Sequence, residues 1–202
     1  MLKYKLKRNA RRIFRSAPVS HPTESGKSGE GKDMKVISKQ KNSRNCIICG
    51  MDNPLGVKAF FYNMQDDSVA SLFTFRPEHQ SYPDRTHGGM VCAMLDELIG
   101  RALWVKQPDM YGVTTTLSIT YRKATPYGEP LKGRAYITHD SSLGFSAKGE
   151  IFDMRNNLLA EASARYFKLS AERAFGKNAH ADDEMIYDIK DDVTDIDFPP
   201  AK

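Results

Sequence analysis

The spacing of hydrophobic and polar positions predicts two strands and then one long helix. The strand-like segments are 55–63 and 69–77, and a proline ends the second of them. A polar loop then leads into an apolar run at 87–105, and Pro108 and Gly112 break the chain after it. Because apolar residues cover most of the circumference of this helix, we expect it to be buried.

Four further strand-like segments follow the helix, at 112–122, 131–140, 144–153 and 158–169. They alternate apolar with polar or small residues, and turns that carry Gly, Pro, Asp or Asn separate them. Strands in this order form an antiparallel sheet, and the single helix buries its apolar surface against one face of it. The pattern therefore predicts an α+β domain over residues 46–170.

Charge is distributed unevenly along the 202 residues, whose formal net charge is +5. Residues 1–45 hold 13 lysines and arginines against 3 acids, residues 46–170 hold 13 of each, and residues 171–202 hold 4 against 9. The basic excess thus belongs to an appendage, so we expect no nucleic-acid binding by the folded part. We expect a disordered basic extension at 1–45 and a disordered acidic tail at 171–202.

The N-terminal segment gives little support for export. It lacks the apolar core of a secretory signal, although its four arginines within residues 1–20 resemble a mitochondrial transit peptide. We favour a basic extension, or a start codon wrongly assigned upstream of Met34, over a transit peptide. No run of about 18 apolar residues indicates a membrane span. We expect a cytoplasmic protein, with a mitochondrial location as the alternative.

Two adjacent acids in the helix have different surroundings. Glu97 has Arg101 four residues later, so an ordinary surface ion pair accounts for it. Asp96 lies among apolar and small neighbours, and no local cation explains it. Asp96 is either turned towards solvent or bonded to a distant partner, or it lines a pocket as a general base or nucleophile.

The start of the helix favours the interpretation of Asp96 as a general base or nucleophile that lines a pocket. Gly88 and Gly89 leave backbone N–H groups uncovered where the helix dipole stabilises a developing oxyanion. They also allow a ligand to approach the backbone closely. An oxyanion site with a carboxylate about two turns further along the helix is a layout suited to acyl transfer.

The segment HGGMVCAMLDELIGRAL (87–103) resembles the helix signature of the hotdog-fold acyl-CoA thioesterases, specifically the PaaI-like and 4-hydroxybenzoyl-CoA thioesterase superfamily. HQSYPDRTHGG is similar to the loop before that helix, and CIICGMDNPLGVKAFF to the opening of one subgroup. TTLSITYRKATPYGEPL resembles the third strand and its turn. The resemblance runs from about Cys46 to Leu169 and implies a hotdog fold, in which a curved antiparallel sheet wraps one long central helix.

The resemblance further implies hydrolysis of an acyl-CoA thioester to CoA and a carboxylic acid. Asp96 would activate water or attack the thioester carbonyl, and the Gly88 backbone N–H would polarise that carbonyl. Gln80 or Ser81 would lie near the nucleophilic water. Thr114 would approach Asp96 of the partner subunit, because the family's active sites form at dimer interfaces.

Four residues are candidates for contact with the substrate rather than for the reaction itself. His87 and Gly89 lie at the helix start, where local hydrogen bonding is the expected role of the imidazole. Arg122 and Lys123 either bind the CoA phosphates or form a solvated strand end, and the sequence favours neither reading.

Two positions depart from the family's pattern. Ser81 stands where glycine is usual in the subgroup, and neither it nor Gln80 is the asparagine of some relatives. These two positions therefore differ in residue type from those that the resemblance places near the water. Ala124 replaces a common proline, which affects the rigidity of a turn more than the chemistry.

Neither a metal nor a cofactor is expected. Cys46 and Cys49 would suggest zinc if a second pair of ligands followed, but Cys92 stands alone in the helix. A tight turn that carries two thiols is favoured over a two-ligand knuckle shared across a dimer. We expect a homodimer or homotetramer with acyl-CoA as substrate.

Two other functions stay open at this point. The first is a non-catalytic acyl-CoA-binding or regulatory hotdog protein, but a pure binder gains little from a desolvated carboxylate that faces an anionic ligand. The second is a dehydratase acting on an enoyl thioester, which usually needs a catalytic histidine, and His87 lies too near the helix start. The identity of the acyl group does not follow from the sequence.

Overall fold

The computed structural model describes residues 32–176 and 185–200. Eight strands occur in these two ranges: β1 (Lys32–Lys39), β2 (Phe60–Met64), β3 (Val69–Thr74), β4 (Met110–Tyr121), β5 (Pro130–Asp140), β6 (Gly144–Asp153), β7 (Leu158–Ser170) and β8 (Asp195–Phe198). They form one sheet in the order β4-β7-β6-β5-β3-β2-β1-β8, and every neighbouring pair is antiparallel.

The long helix α1 (Gly88–Arg101) continues as a 3-10 helix (Ala102–Val105), and the short helix α2 (Ala171–Phe175) follows β7. The buried apolar positions of α1 recur at helical spacing, and they are Val91, Met94, Leu95, Leu98 and Ile99. They share one buried core with residues of β2, β3, β5, β6 and β7. The predicted α+β arrangement, with one long helix against an antiparallel sheet, is confirmed.

Two glycines allow α1 to approach the sheet closely. A Cβ atom on Gly133 of β5 would lie 2.7 Å from Cδ2 of Leu98, and a Cβ atom on Gly149 of β6 would lie 2.7 Å from Cγ1 of Ile99. Both distances are shorter than carbon atoms tolerate, so the helix side chains occupy the space that side chains on β5 and β6 would need.

We expect Gly149→Ala to lower the free energy of unfolding by about 1–3 kcal/mol, because the new methyl group overpacks the core against Ile99. Gly100→Ala is the matched control. Gly100 lies inside α1, and a Cβ atom there would meet nothing closer than Tyr166 Cε1 at 3.7 Å. That change should raise stability by about 0.5–1 kcal/mol, since alanine loses less backbone entropy in a helix. Equal denaturant midpoints for the two variants would contradict this account.

The structure corrects the expected boundaries of the ordered part. Residues 32–39 were expected in a disordered extension, and residues 195–198 in a disordered tail, but they form β1 and β8. Those two parts of the prediction are wrong. The prediction of disorder at 1–31, 177–184 and 201–202 concerns residues outside the described ranges and stays a prediction. At the other boundary, the first predicted strand is shorter than expected, because β2 begins only at Phe60.

Long-range contacts explain why these two flanks are ordered. Ile196 and Phe198 of β8 belong to a second buried apolar cluster that also contains Tyr62 of β2. In addition, Asp197 forms an ion pair of 2.6 Å with Lys132, whose side chain is fully buried. A buried ammonium group requires such a partner. β8 thus gains burial and charge pairing that its own composition does not reveal, and Met34 and Val36 of β1 pack against the same cluster.

None of the helices in the described part of the chain combines the length and the hydropathy that a bilayer crossing requires.

Candidate functional site

Asp96 lies half-buried on α1, and two hydroxyl groups hold one of its carboxylate oxygens. Oγ1 of Thr114 and Oη of Tyr166 each donate a hydrogen bond of 2.8 Å to Asp96 Oδ1. Oδ2 accepts no hydrogen bond from any residue in the described ranges. Asp96 thus does have partners that are distant in sequence, and both are neutral hydrogen-bond donors. Its other carboxylate oxygen, Oδ2, remains open to a ligand.

Thr114 contacts Asp96 within a single chain. The hydrogen bond joins the two side chains of one chain, and the approach of Thr114 to Asp96 of the partner subunit, which the resemblance implied, stays a prediction. Thr114 is at a register shift in the pairing of β4 with β7, between Thr114 and Thr116. Such a bulge redirects a side chain locally, which accounts for the short approach of Thr114 to α1.

Tyr166 of β7 was missed by the sequence reasoning. It is buried, its ring stacks on that of Phe145 at a centroid distance of 4.7 Å, and its hydroxyl reaches Asp96. Burial, followed by the charge of Asp96, raises the pKa of Tyr166, so the phenol stays protonated and donates. The only sequence signal was an aromatic residue at an inward position of a strand, which is typical of ordinary core.

The helix start offers one free N–H group rather than two. His87 caps the helix, and its Nδ1 accepts the backbone N–H of Gly89 at 2.9 Å. Gly89 is therefore not an uncovered donor, which corrects part of the prediction. The N–H of Gly88 has no acceptor among the described residues. Tyr121 lies over this glycine, with its hydroxyl donating to the Gly88 carbonyl oxygen at 2.8 Å.

A groove beside the helix start brings together four of the predicted residues. It is lined by Ser81, Gly88, Arg122 and Lys123, and also by Arg85, which the sequence analysis did not single out. Three cationic side chains in one groove suit an anionic ligand.

The cations of this groove differ in their partners. The Arg122 guanidinium forms an ion pair with Glu161, and Lys123 Nζ donates to Asn157 Oδ1 at 3.2 Å. Arg85 has no side-chain partner in the described part of the chain. Gln80 does not line the groove, and its Oε1 accepts a hydrogen bond of 2.8 Å from Tyr127.

Asp96 and Gly88 are separated within one chain. Asp96 lines a different pocket, together with Thr114, Tyr166 and Gly112. Eight residues of α-helix correspond to about 12 Å along the axis and to a rotation of about 80° beyond two full turns. A single chain therefore does not bring both groups to one carbonyl.

The pair of Glu97 and Arg101 is present but is not a surface pair, which corrects its interpretation. The two side chains are 2.9 Å apart, and the Arg101 side chain is only 3% exposed. Its guanidinium lies over the ring of Phe61 at 4.4 Å and over that of Trp104 at 4.8 Å. Burial makes Arg101 dependent on Glu97 as its counter-charge.

Comparison with known proteins adds a family to this geometry. The sequence profile of the thioesterase superfamily matches residues 85–160. The resemblance to the thioesterase superfamily is confirmed. The matched segment contains α1 with Gly88 and Asp96, as well as Thr114. No curated protein matches the chain.

Solved structures of thioesterase superfamily proteins share the fold, and the predicted hotdog fold is confirmed. One such protein aligns with 24% identity over 61% of this chain and 63% of its own length, with a TM-score of 0.57. The PaaI protein of the E. coli phenylacetic acid degradation operon aligns with 14% identity over 56% of this chain and 81% of its own, with a TM-score of 0.52. A hypothetical thioesterase from Streptococcus pneumoniae TIGR4, solved with coenzyme A, aligns with 20% identity over 55% and 86%, with a TM-score of 0.51.

Proposed function

We propose that the protein is an acyl-CoA thioesterase, which hydrolyses an acyl-CoA thioester to CoA and a carboxylic acid. The observation that carries this proposal is the half-buried carboxylate of Asp96. Thr114 and Tyr166 orient its Oδ1, while Oδ2 is left without a partner among the described residues. An oriented carboxylate with one open oxygen is suited to take a proton from water or to attack a thioester carbonyl.

The reaction needs an electrophilic half as well as a base. When Asp96 acts as the general base, a water molecule loses a proton to it and attacks the carbonyl carbon, and the carbonyl oxygen becomes an oxyanion. The free N–H of Gly88 at the helix start is suited to stabilise that oxyanion. The intermediate then collapses and expels the CoA thiolate. When Asp96 acts as the nucleophile, water hydrolyses the resulting anhydride.

A homodimer would join the two halves. A two-fold axis reverses the direction of α1, so Gly88 of one chain can approach the partner's Asp96, which overcomes the separation of about 12 Å within a chain. The edge strand β4 supports such pairing, because it is long and its Val113 and Tyr121 are 47% and 52% exposed. An unpaired long edge is a surface for pairing with another chain. A homotetramer of two such dimers is also compatible.

The cationic groove is the proposed site for the CoA phosphates. Arg85 and Lys123 are more available than Arg122, whose guanidinium is already paired with Glu161. Ser81 lies in the same groove and is a better candidate than Gln80 for contact with water near the carbonyl. The neighbour solved with coenzyme A supports this class of ligand.

A panel of acyl-CoA thioesters of varied chain length, with one aryl-CoA, tests the proposal by release of free thiol. We expect turnover of at least one member. We also expect a higher KM for the matching acyl-pantetheine thioester, which lacks the nucleotide phosphates. Tight binding of acyl-CoA with no turnover of any member would instead identify a non-catalytic binding protein.

Tyr166→Phe should lower kcat about 10- to 150-fold with little change in KM, because a hydrogen bond to a charged group contributes about 1.5–3 kcal/mol. The phenyl ring keeps its stacking on Phe145, so the fold is retained. Tyr136→Phe is the control, since the hydroxyl of Tyr136 has no partner within residues 32–176 and 185–200. Steady-state kinetics on the best substrate measures the difference, and equal kcat values for the two variants would exclude a role for the Tyr166 hydroxyl.

A further inference from the structure

The turn that carries the first two cysteines has the backbone geometry of a metal-binding knuckle. The backbone N–H of Ile48 donates to Cys46 Sγ at 3.3 Å, and that of Gly50 donates to Cys46 O at 2.9 Å. A Cβ atom on Gly50 would lie 2.3 Å from the same carbonyl oxygen, so the turn requires glycine there. Backbone N–H donors that point at a sulfur stabilise its thiolate form.

A third ligand group reaches the two sulfurs from α1. Glu97 Oε2 lies 3.8 Å from Cys46 Sγ, and the ligand atoms of Cys46, Cys49 and Glu97 all lie within 4.8 Å of one another. Around a tetrahedral zinc ion, with bonds of about 2.3 Å to sulfur and about 2.0–2.2 Å to oxygen, ligand atoms are roughly 3.5–3.8 Å apart. Small side-chain rotations therefore close the cluster on an ion.

The electrostatics of the cluster also favour a divalent cation. With two thiolates and the Glu97 carboxylate, a zinc ion and the buried Arg101 guanidinium bring the local charge to zero. One guanidinium nitrogen of Arg101, Nη2, is buried without a hydrogen-bond acceptor in the described part of the chain. Its N–H groups are therefore available to donate to a thiolate.

We propose that Cys46, Cys49 and Glu97 bind one zinc ion per chain, with a water molecule as the fourth ligand. Binding replaces the thiol protons, which are released to solvent as the two sulfur–zinc bonds form. Two soft thiolate ligands select zinc over magnesium or calcium. The ion would tie the knuckle to α1, one residue from Asp96, and its role would be structural.

Titration of the reduced, metal-depleted full-length protein with Zn²⁺, and with Co²⁺ as a spectroscopic probe, tests this proposal. We expect one equivalent of metal per chain, a thiolate-to-cobalt charge-transfer band, and a higher thermal unfolding midpoint with Zn²⁺. Cys46→Ser and Cys49→Ser should abolish the band and the stabilisation, and Glu97→Gln should weaken binding. Cys92→Ser is the matched control, because Cys92 lies outside the cluster, and it should bind as the parent protein does.

Several outcomes would overturn the site. They are the absence of stoichiometric binding by the reduced parent protein, binding that survives Cys46→Ser and Cys49→Ser, or binding that is lost in Cys92→Ser. A protein in which Cys46 and Cys49 form a disulfide, and which binds no metal once that disulfide is reduced, would also contradict the proposal. Circular dichroism of every variant identifies any loss that comes from unfolding. Since none of these measurements uses thioester turnover, failure of the zinc site and failure of the proposed activity are distinguishable.

Discussion

Asp96→Asn is expected to lower kcat by about 10²- to 10⁴-fold on the best acyl-CoA substrate, because general-base catalysis contributes about that much. The amide oxygen of asparagine still accepts hydrogen bonds from Thr114 and Tyr166, which now hold the carboxylate. The variant should therefore fold and bind substrate, and lose only the basic or nucleophilic oxygen. Single-turnover measurements, with the enzyme in excess over the substrate and at a saturating enzyme concentration, report the chemical step directly.

Asp109→Asn is the control for this change, because Asp109 is an exposed acid that has no partner in the described ranges. It should retain the parent turnover rate. An Asp96→Asn protein that turns over its best substrate as fast as the parent would remove the basis of the proposed mechanism. An unfolded variant would be recognised by its circular dichroism, and Asp96→Ser would then serve as a second substitution.

Leu98→Ala is expected to lower the free energy of unfolding by about 2–5 kcal/mol, the usual cost of a cavity in a tightly packed core. Leu98 is fully buried, and it occupies the space above Gly133 where the sheet has no side chain. Because Gly133 is part of a rigid strand, the surroundings collapse only partly into the cavity. Denaturant unfolding with an unchanged slope measures the loss.

Leu143→Ala is the matched control, because it removes the same atoms from a leucine at the surface. Leu143 is 76% exposed in the turn between β5 and β6. Its truncation should change stability by less than about 0.5 kcal/mol. Similar losses in both variants would contradict the close packing of α1 on β5.

The adjacent acids Asp96 and Glu97 line the same pocket, but they contact different partners. Asp96 points to Thr114 and Tyr166, whereas Glu97 contacts Arg101 and Cys46. One residue corresponds to a rotation of about 100° around a helix, so neighbours in sequence face different surroundings. Adjacent acids on one helix can therefore have different partners, two hydroxyl groups for Asp96 and a buried guanidinium and a thiol for Glu97.

Local patterns predicted the helix and several strands closely. The apolar run at 87–105 corresponds to α1 and the 3-10 turn that extends it, and the segments predicted at 131–140 and 144–153 match β5 and β6 within one residue. These elements follow from periodicities of 3.6 and 2 residues, which are written into short stretches of chain. The open N–H of Gly88 is local as well, although the loss of the Gly89 donor to His87 was not foreseen.

The sequence by itself determined the order of the elements, the burial of α1 and the absence of a local cation beside Asp96, because each depends on residues a few positions apart. Only the tertiary structure decided that Tyr166, 70 residues away, donates to Asp96, and that Glu97 meets Cys46 across 51 residues. It also decided that β1 and β8 join the sheet. Such contacts depend on which faces of distant segments are buried together, and no periodicity within a single segment carries that information.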